Sequence, residues 1–129
     1  MLLAALAWLS PASAATTTTT TTERNGMLIF APGSVKLEAE SLEVIERLTM
    51  LAKADAANRI LLEACGEDNG SRAMNLALHQ QRFDVIEQEI IARGIQPHRV
   101  RSLSSRELCD TALRENEPSV AARVEKPAL

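Results

Sequence analysis

The chain has 129 residues, 46% hydrophobic and 24% charged, with a formal net charge of -3. That balance suits one globular domain and excludes a disordered chain, and it offers no basic excess for a nucleic acid. The aromatics are Trp8, Phe30 and Phe83, with no Tyr, too few for a surface that grips bases or sugar rings by stacking.

Residues 2–9, LLAALAWL, form an apolar run far short of the roughly 20 residues that a membrane span needs. The run fits the core of a secretory signal peptide, and Ala12-Ser13-Ala14 supplies a small-x-small cleavage pattern. Residues 1–14 therefore read as a signal peptide. No Lys or Arg precedes the run, so a short buried N-terminal helix is the alternative. No Cys follows to carry a lipid, and no second apolar stretch reaches spanning length. The mature chain is expected to be exported and free of membrane spans. Seven threonines, Thr16 to Thr22, follow. Such a tract cannot bury a core, so residues 15–26 read as a linker. The folded domain is then 27–126, with 127–129 as a tail.

The domain alternates strand and helix patterns. MLIFA (27–31) is a short apolar run stopped by Pro32-Gly33 and reads as a buried strand. From Ala39 to Asp55, Leu42, Ile45, Leu48 and Ala52 recur at helical spacing behind Glu38, Glu40 and Glu43, which complement the helix dipole. RILLEAC (59–65) is apolar enough for a central strand. GEDNGS (66–71) is a polar loop. A long helix is predicted from about Asn75 or Leu78 to Arg93, with Leu78, Phe83, Ile86 and Ile90 inward. Gly94 stops it and Ile95 folds back on it. A third strand is expected over 98–104, a loop over 105–118, and a last strand over 120–125. This β-α-β-α-β-β order predicts an α+β two-layer sandwich, with both helices on one face of a small mixed sheet.

The residues around the 66–71 loop resemble a known family. Ile29-Phe30, Gly33-Ser34 and Leu37 resemble its opening pattern. Gly70-Ser71, Asn75, Leu78 and Arg82 resemble its most specific motif, and Gly94-Ile95 with Arg99-Val100 follow in the same order. The family is the OmpA-like peptidoglycan-associated domain of OmpA, the lipoprotein Pal and the stator protein MotB. The resemblance spans about residues 30–125. It implies a periplasmic domain of the Gram-negative envelope that binds the diaminopimelate residue of the peptidoglycan stem peptide without a cofactor. It carries Arg82 to the ligand carboxylate, where a planar guanidinium binds two oxygens at once. Glu67, at the family's Asp position, or its neighbour Asp68 would take the ammonium, with Asn75 close by. An envelope protein partner and a homodimer are compatible with it.

The chain also departs from the family. Ala64-Cys65-Gly66-Glu67 stands where the family has G-H-T-D. His79 replaces a Ser, Phe83 replaces an Ala, and Ser104-Ser105-Arg106-Glu107 lacks the family's glycines. These changes support a second reading, an interaction subunit of an envelope or secretion assembly that no longer holds peptidoglycan. In that case an apolar patch is expected around Phe83.

The residues also have plainer uses. Arg82 could pair on the surface with Asp84, Glu87 or another acid. Asn75 could act only as a cap or turn former. Glu67 and Asp68 could be a solvated loop pair, whose spacing is not that of a calcium loop. His79 and His98 match no metal pattern and read as surface residues. Cys65–His79 lacks an orienting third group, so no enzyme is expected. An even pair of cysteines in an exported chain favours a Cys65–Cys109 disulfide beside the site. It would close about 45 residues and contribute ~3 to 4 kcal/mol.

Overall fold

A computed structural model describes residues 24–66, 68, 70–104, 108–109 and 117–127. The segment expected to be a signal peptide, the threonine tract and Glu67 lie outside the described residues. The elements run β1 (Asn25–Ile29), α1 (Ala39–Ala54), β2 (Arg59–Cys65), α2 (Arg72–Ala92), β3 (Val100–Leu103) and β4 (Ser119–Glu125), with one 3-10 turn at Pro97–Arg99. Strand order across the sheet is β1-β4-β2-β3. β4 pairs antiparallel with both β1 and β2, while β2 and β3 run parallel across the α2 crossover. The architecture is the expected α+β sandwich with a mixed sheet.

Both helices lie on one face of the sheet. Leu28, Phe30, Ile60, Leu62, Val120 and Val124 meet Ile45, Leu48 and Ala52 of α1 and Ile86 and Ile90 of α2 in the main core. The period-2 alternation of β2 sends Leu61 and Cys65 to the opposite face. There they pack with Leu108 and Ala121.

β1 begins at Asn25, two residues before the apolar run does. Asn25 and Gly26 therefore belong to the sheet and not to the linker. The end of α2 follows the sequence. Gly94 takes a φ of 99°, its N–H donates to Ile91 at 2.9 Å, and Ile95 N–H returns to Ile90 at 3.4 Å. Only glycine adopts that backbone without strain, and Ile95 then seals the core. At the far end of α1, Arg99 donates to the carbonyls of Ala52, Asp55 and Asn58. These bonds occupy acceptors that a helix terminus leaves unpaired.

Candidate functional site

α2 starts at Arg72, earlier than apolar periodicity predicts. Ser71 is its cap, with Oγ accepting the Met74 N–H at 3.2 Å. Asn75 is therefore not the cap. It is buried in the first turn, and its Oδ1 accepts the Asp68 N–H at 3.1 Å. The inward stripe of α2 is polar first and apolar later. Asn75 and Arg82 precede Ile86 and Ile90 on the buried side.

Arg82 and Asp68 bind each other. Nη1 donates to Oδ1 at 2.9 Å and Nη2 to Oδ2 at 3.1 Å, a two-pronged pair whose side chains are 1% and 4% exposed. Arg82 Nε donates to the Ser34 carbonyl at 3.0 Å. The guanidinium carbon sits 5.0 Å from the centre of the Phe30 ring, within cation–π range. Gly33 N–H donates to Asp68 Oδ2. One charge pair thus ties together the loop after β1, the loop after β2 and helix α2. The surface pairing of Arg82 with Asp84 or Glu87 is replaced by this buried one, because the 66–71 loop brings an acid directly onto the guanidinium. Hydrogen bonding from Arg82 outweighs burial and holds the Asp68 carboxyl below its usual range, with the Gly33 N–H adding to the effect. At neutral pH both partners are charged.

The structure brings Asp68, Asn75 and Arg82 together; Glu67 lies outside the described residues. Gly33, Ser34 and Phe30 complete the cluster. Their signal in the sequence is the Phe30-x-x-Gly33-Ser34 spacing, which reads there only as a family pattern.

No protein-family model matches the chain. A peptidoglycan-associated lipoprotein of Pasteurella multocida (strain Pm70) is 23% identical over 82 residues, covering 64% of this chain and 55% of that protein. The chain thus spans little more than half of that relative's length. The crystal structure of the peptidoglycan-associated lipoprotein from Burkholderia pseudomallei superposes with a TM-score of 0.62 at 16% identity, covering 77% of this chain and 89% of that one. The OmpA-like domain of FopA1 from Francisella tularensis subsp. tularensis SCHU S4 gives 0.61 at 10% identity, covering 81% and 75%. The chain has the OmpA-like fold.

Within this fold the two cysteines are joined, Cys65 to Cys109, across 44 residues. The bridge lies on the sheet face away from the helices rather than beside the Asp68–Arg82 pair, because alternation along β2 directs Cys65 there. Glu63, 2% exposed, works alongside it. Its Oε2 accepts the N–H groups of Leu108 at 2.7 Å and Cys109 at 2.8 Å. Bridge and carboxylate together fasten that segment to the sheet. Periodicity does not single out Glu63; its one signal in the sequence is an acid inside an otherwise apolar strand.

His79 is not a surface residue. It is half-buried, and its Nε2 is buried without a hydrogen-bond partner among the described residues. It stands one turn from Asn75 and from Arg82, and so shares their face. His98 is exposed as expected. Phe83 packs against the main core and forms no exposed patch. Among the described residues the exposed large apolar side chains are Met50, Met74 and Leu76. Among the described residues no helix is long and apolar enough to cross a membrane.

Proposed function

We propose that this OmpA-like domain binds the diaminopimelate residue of the peptidoglycan stem peptide in the periplasm, holding an envelope component at the cell wall. The observation that carries the reading is the pairing of the Arg82 guanidinium on α2 with the Asp68 carboxylate on the loop before it, in a fold shared with proteins named peptidoglycan-associated lipoproteins. A ligand bearing an ammonium and a carboxylate is complementary to that pair. Its carboxylate takes the fork of Arg82, and its ammonium takes Asp68 or Glu67. Asn75 holds the loop through the Asp68 N–H. No bond is made or broken, and no cofactor is required.

Binding here is an exchange of partners. Arg82 already has Asp68, so affinity is the difference between two sets of charge-assisted bonds. A Kd on the order of 0.1–1 mM, about 4 to 5.5 kcal/mol, is expected. The test is an NMR titration with a diaminopimelate-containing stem peptide and a lysine-containing control. The expected result is shifts in the amides of 33–34 and 66–82, absent with the control. An Arg82→Lys variant keeps the charge and loses the fork, and should weaken binding at least tenfold while retaining the fold. No shift at millimolar ligand rejects the reading.

A second reading rests on one observation, the near-complete burial of Arg82. A pair satisfied internally can serve only as a brace, leaving the domain as an interaction subunit of an envelope or secretion assembly. The no-shift outcome favours it.

A further inference from the structure

β1 is an edge strand. Phe30 N–H donates to the Pro118 carbonyl at 2.9 Å. In an antiparallel pair hydrogen-bonding positions alternate, so Leu28 and Gly26 face β4 in the same way and the odd-numbered residues direct N–H and C=O outward. Asn25 follows that parity, since its carbonyl accepts Arg47 Nη2 at 3.1 Å from α1. Met27 and Ile29 hold the remaining outward groups, and nothing pairs with them on that side among the described residues.

A groove of about 600 Å³ runs along this edge. Met27 and Ile29 form its wall, Val44 of α1 overhangs it, and Pro32 closes one end. Glu38 and Glu40 stand on the rim, and both are exposed. The groove therefore combines a row of backbone donors and acceptors, an apolar wall and an acidic rim.

We propose that this groove accepts an extended, Lys- or Arg-bearing segment of a partner protein as a fifth strand. Exposed edges pair readily with another chain, and pockets for alternate side chains supply the selectivity. The stretch from Asn25 to Pro32 suits about six residues at ~3.3 Å each. Met27 and Ile29 supply four backbone hydrogen bonds. Guest side chains on the helix face lie under Val44 and, at the Pro32 end, carry a cation to Glu38 and Glu40. Charge complementarity also says which chain the guest is not. Residues 1–23 contain no Lys or Arg and end in Glu23, so the domain's own N-terminal segment is a poor match for the rim.

The test uses the full chain and the acetylated, amidated hexapeptide Lys-Thr-Val-Thr-Val-Thr, which puts its cation and both valines on one face. Two controls are the same peptide with Glu for Lys, and a version N-methylated at alternate residues. Binding to the basic peptide should shift the Met27 and Ile29 amides and slow their hydrogen exchange about tenfold. Both controls should fail. A Glu38→Gln/Glu40→Gln double variant should stay folded with a modestly lower thermal midpoint, from the lost helix-dipole contribution, and bind about fivefold more weakly, the effect of losing the rim charge. Equal binding of the Glu peptide, unchanged binding after N-methylation, or shifts only elsewhere would each overturn the proposal. So would Met27 and Ile29 amides already protected in the unbound chain, because the edge would then be occupied.

Discussion

Replacing Arg82 by methionine keeps a long unbranched stem and removes the charge. The variant loses both bonds to Asp68, the bond to the Ser34 carbonyl and the contact with Phe30. It leaves the Asp68 carboxylate, 4% exposed, with the Gly33 N–H in place of a guanidinium. An uncompensated buried charge of this kind costs about 3 to 5 kcal/mol. Total stabilities of such domains are only about 5 to 15 kcal/mol. At about 4 to 8 °C per kcal/mol, the melting temperature should fall by roughly 12 to 40 °C. Urea unfolding followed by far-UV circular dichroism is the assay, because the only tryptophan is Trp8, ahead of the domain. The midpoint should drop with little change in slope. The companion is Asp68→Leu/Arg82→Met, which removes both charges. It should be no less stable than Arg82→Met, with a coupling of about 2 kcal/mol or more. A loss below about 1 kcal/mol for Arg82→Met, or losses that simply add, would refute the argument that this pair braces the three segments. The experiment also bears on binding assays. Lost sedimentation of an Arg82 variant with cell-wall sacculi means lost recognition only if the variant is folded.

The Asp68 carboxyl titrates lower in the folded chain than its unfolded value near 3.9. Its contribution to stability should therefore be complete above about pH 5 and drain away as pH falls through 4 and below. Urea midpoints between pH 3 and 7 should show this slope, and Asp68→Asn should flatten it. A residual slope from Asp55 should remain, since the Ala57 N–H and Lys126 lower that exposed carboxyl in the same direction. Identical slopes in both proteins would count against the assignment. Reduction of Cys65–Cys109 should cost about 3 to 4 kcal/mol in the loop-entropy account, seen as a lower urea midpoint with a phosphine reductant present. Glu63→Gln in the oxidised protein should cost about 1 to 3 kcal/mol, because it can bring an amide donor into a buried site whose neighbours, the Leu108 and Cys109 N–H groups, are themselves donors. Gly66→Ala should cost on the order of 1 to 3 kcal/mol in thermal unfolding. The φ there is 72°, and an added Cβ would lie 2.5 Å from the Glu117 carbonyl oxygen.

The fold was legible wherever one local pattern decided it. β2 and α1 came from short-range periodicity, and the end of α2 came from Gly94-Ile95. The cysteine pairing followed because two cysteines allow one intramolecular bond. Local signals failed where a buried position is polar. The start of α2 was read too late because its first inward residues are Asn75 and Arg82 instead of leucines, and the same polarity hid the burial of His79. The motif points to Asn75, Arg82 and Glu67 with its neighbour Asp68, but it does not say that Arg82 and Asp68 hold each other. Along the helix Arg82 has Asp84 and Glu87 as nearer acids. Its actual partner lies 14 residues back, on a loop whose path depends on Gly33 and Ser34 from another strand's end. Periodicity and caps are short-range and therefore written in the chain. The partner of a buried charge is selected by which segments the packed core brings within 3 Å of it, and only the tertiary structure decides that.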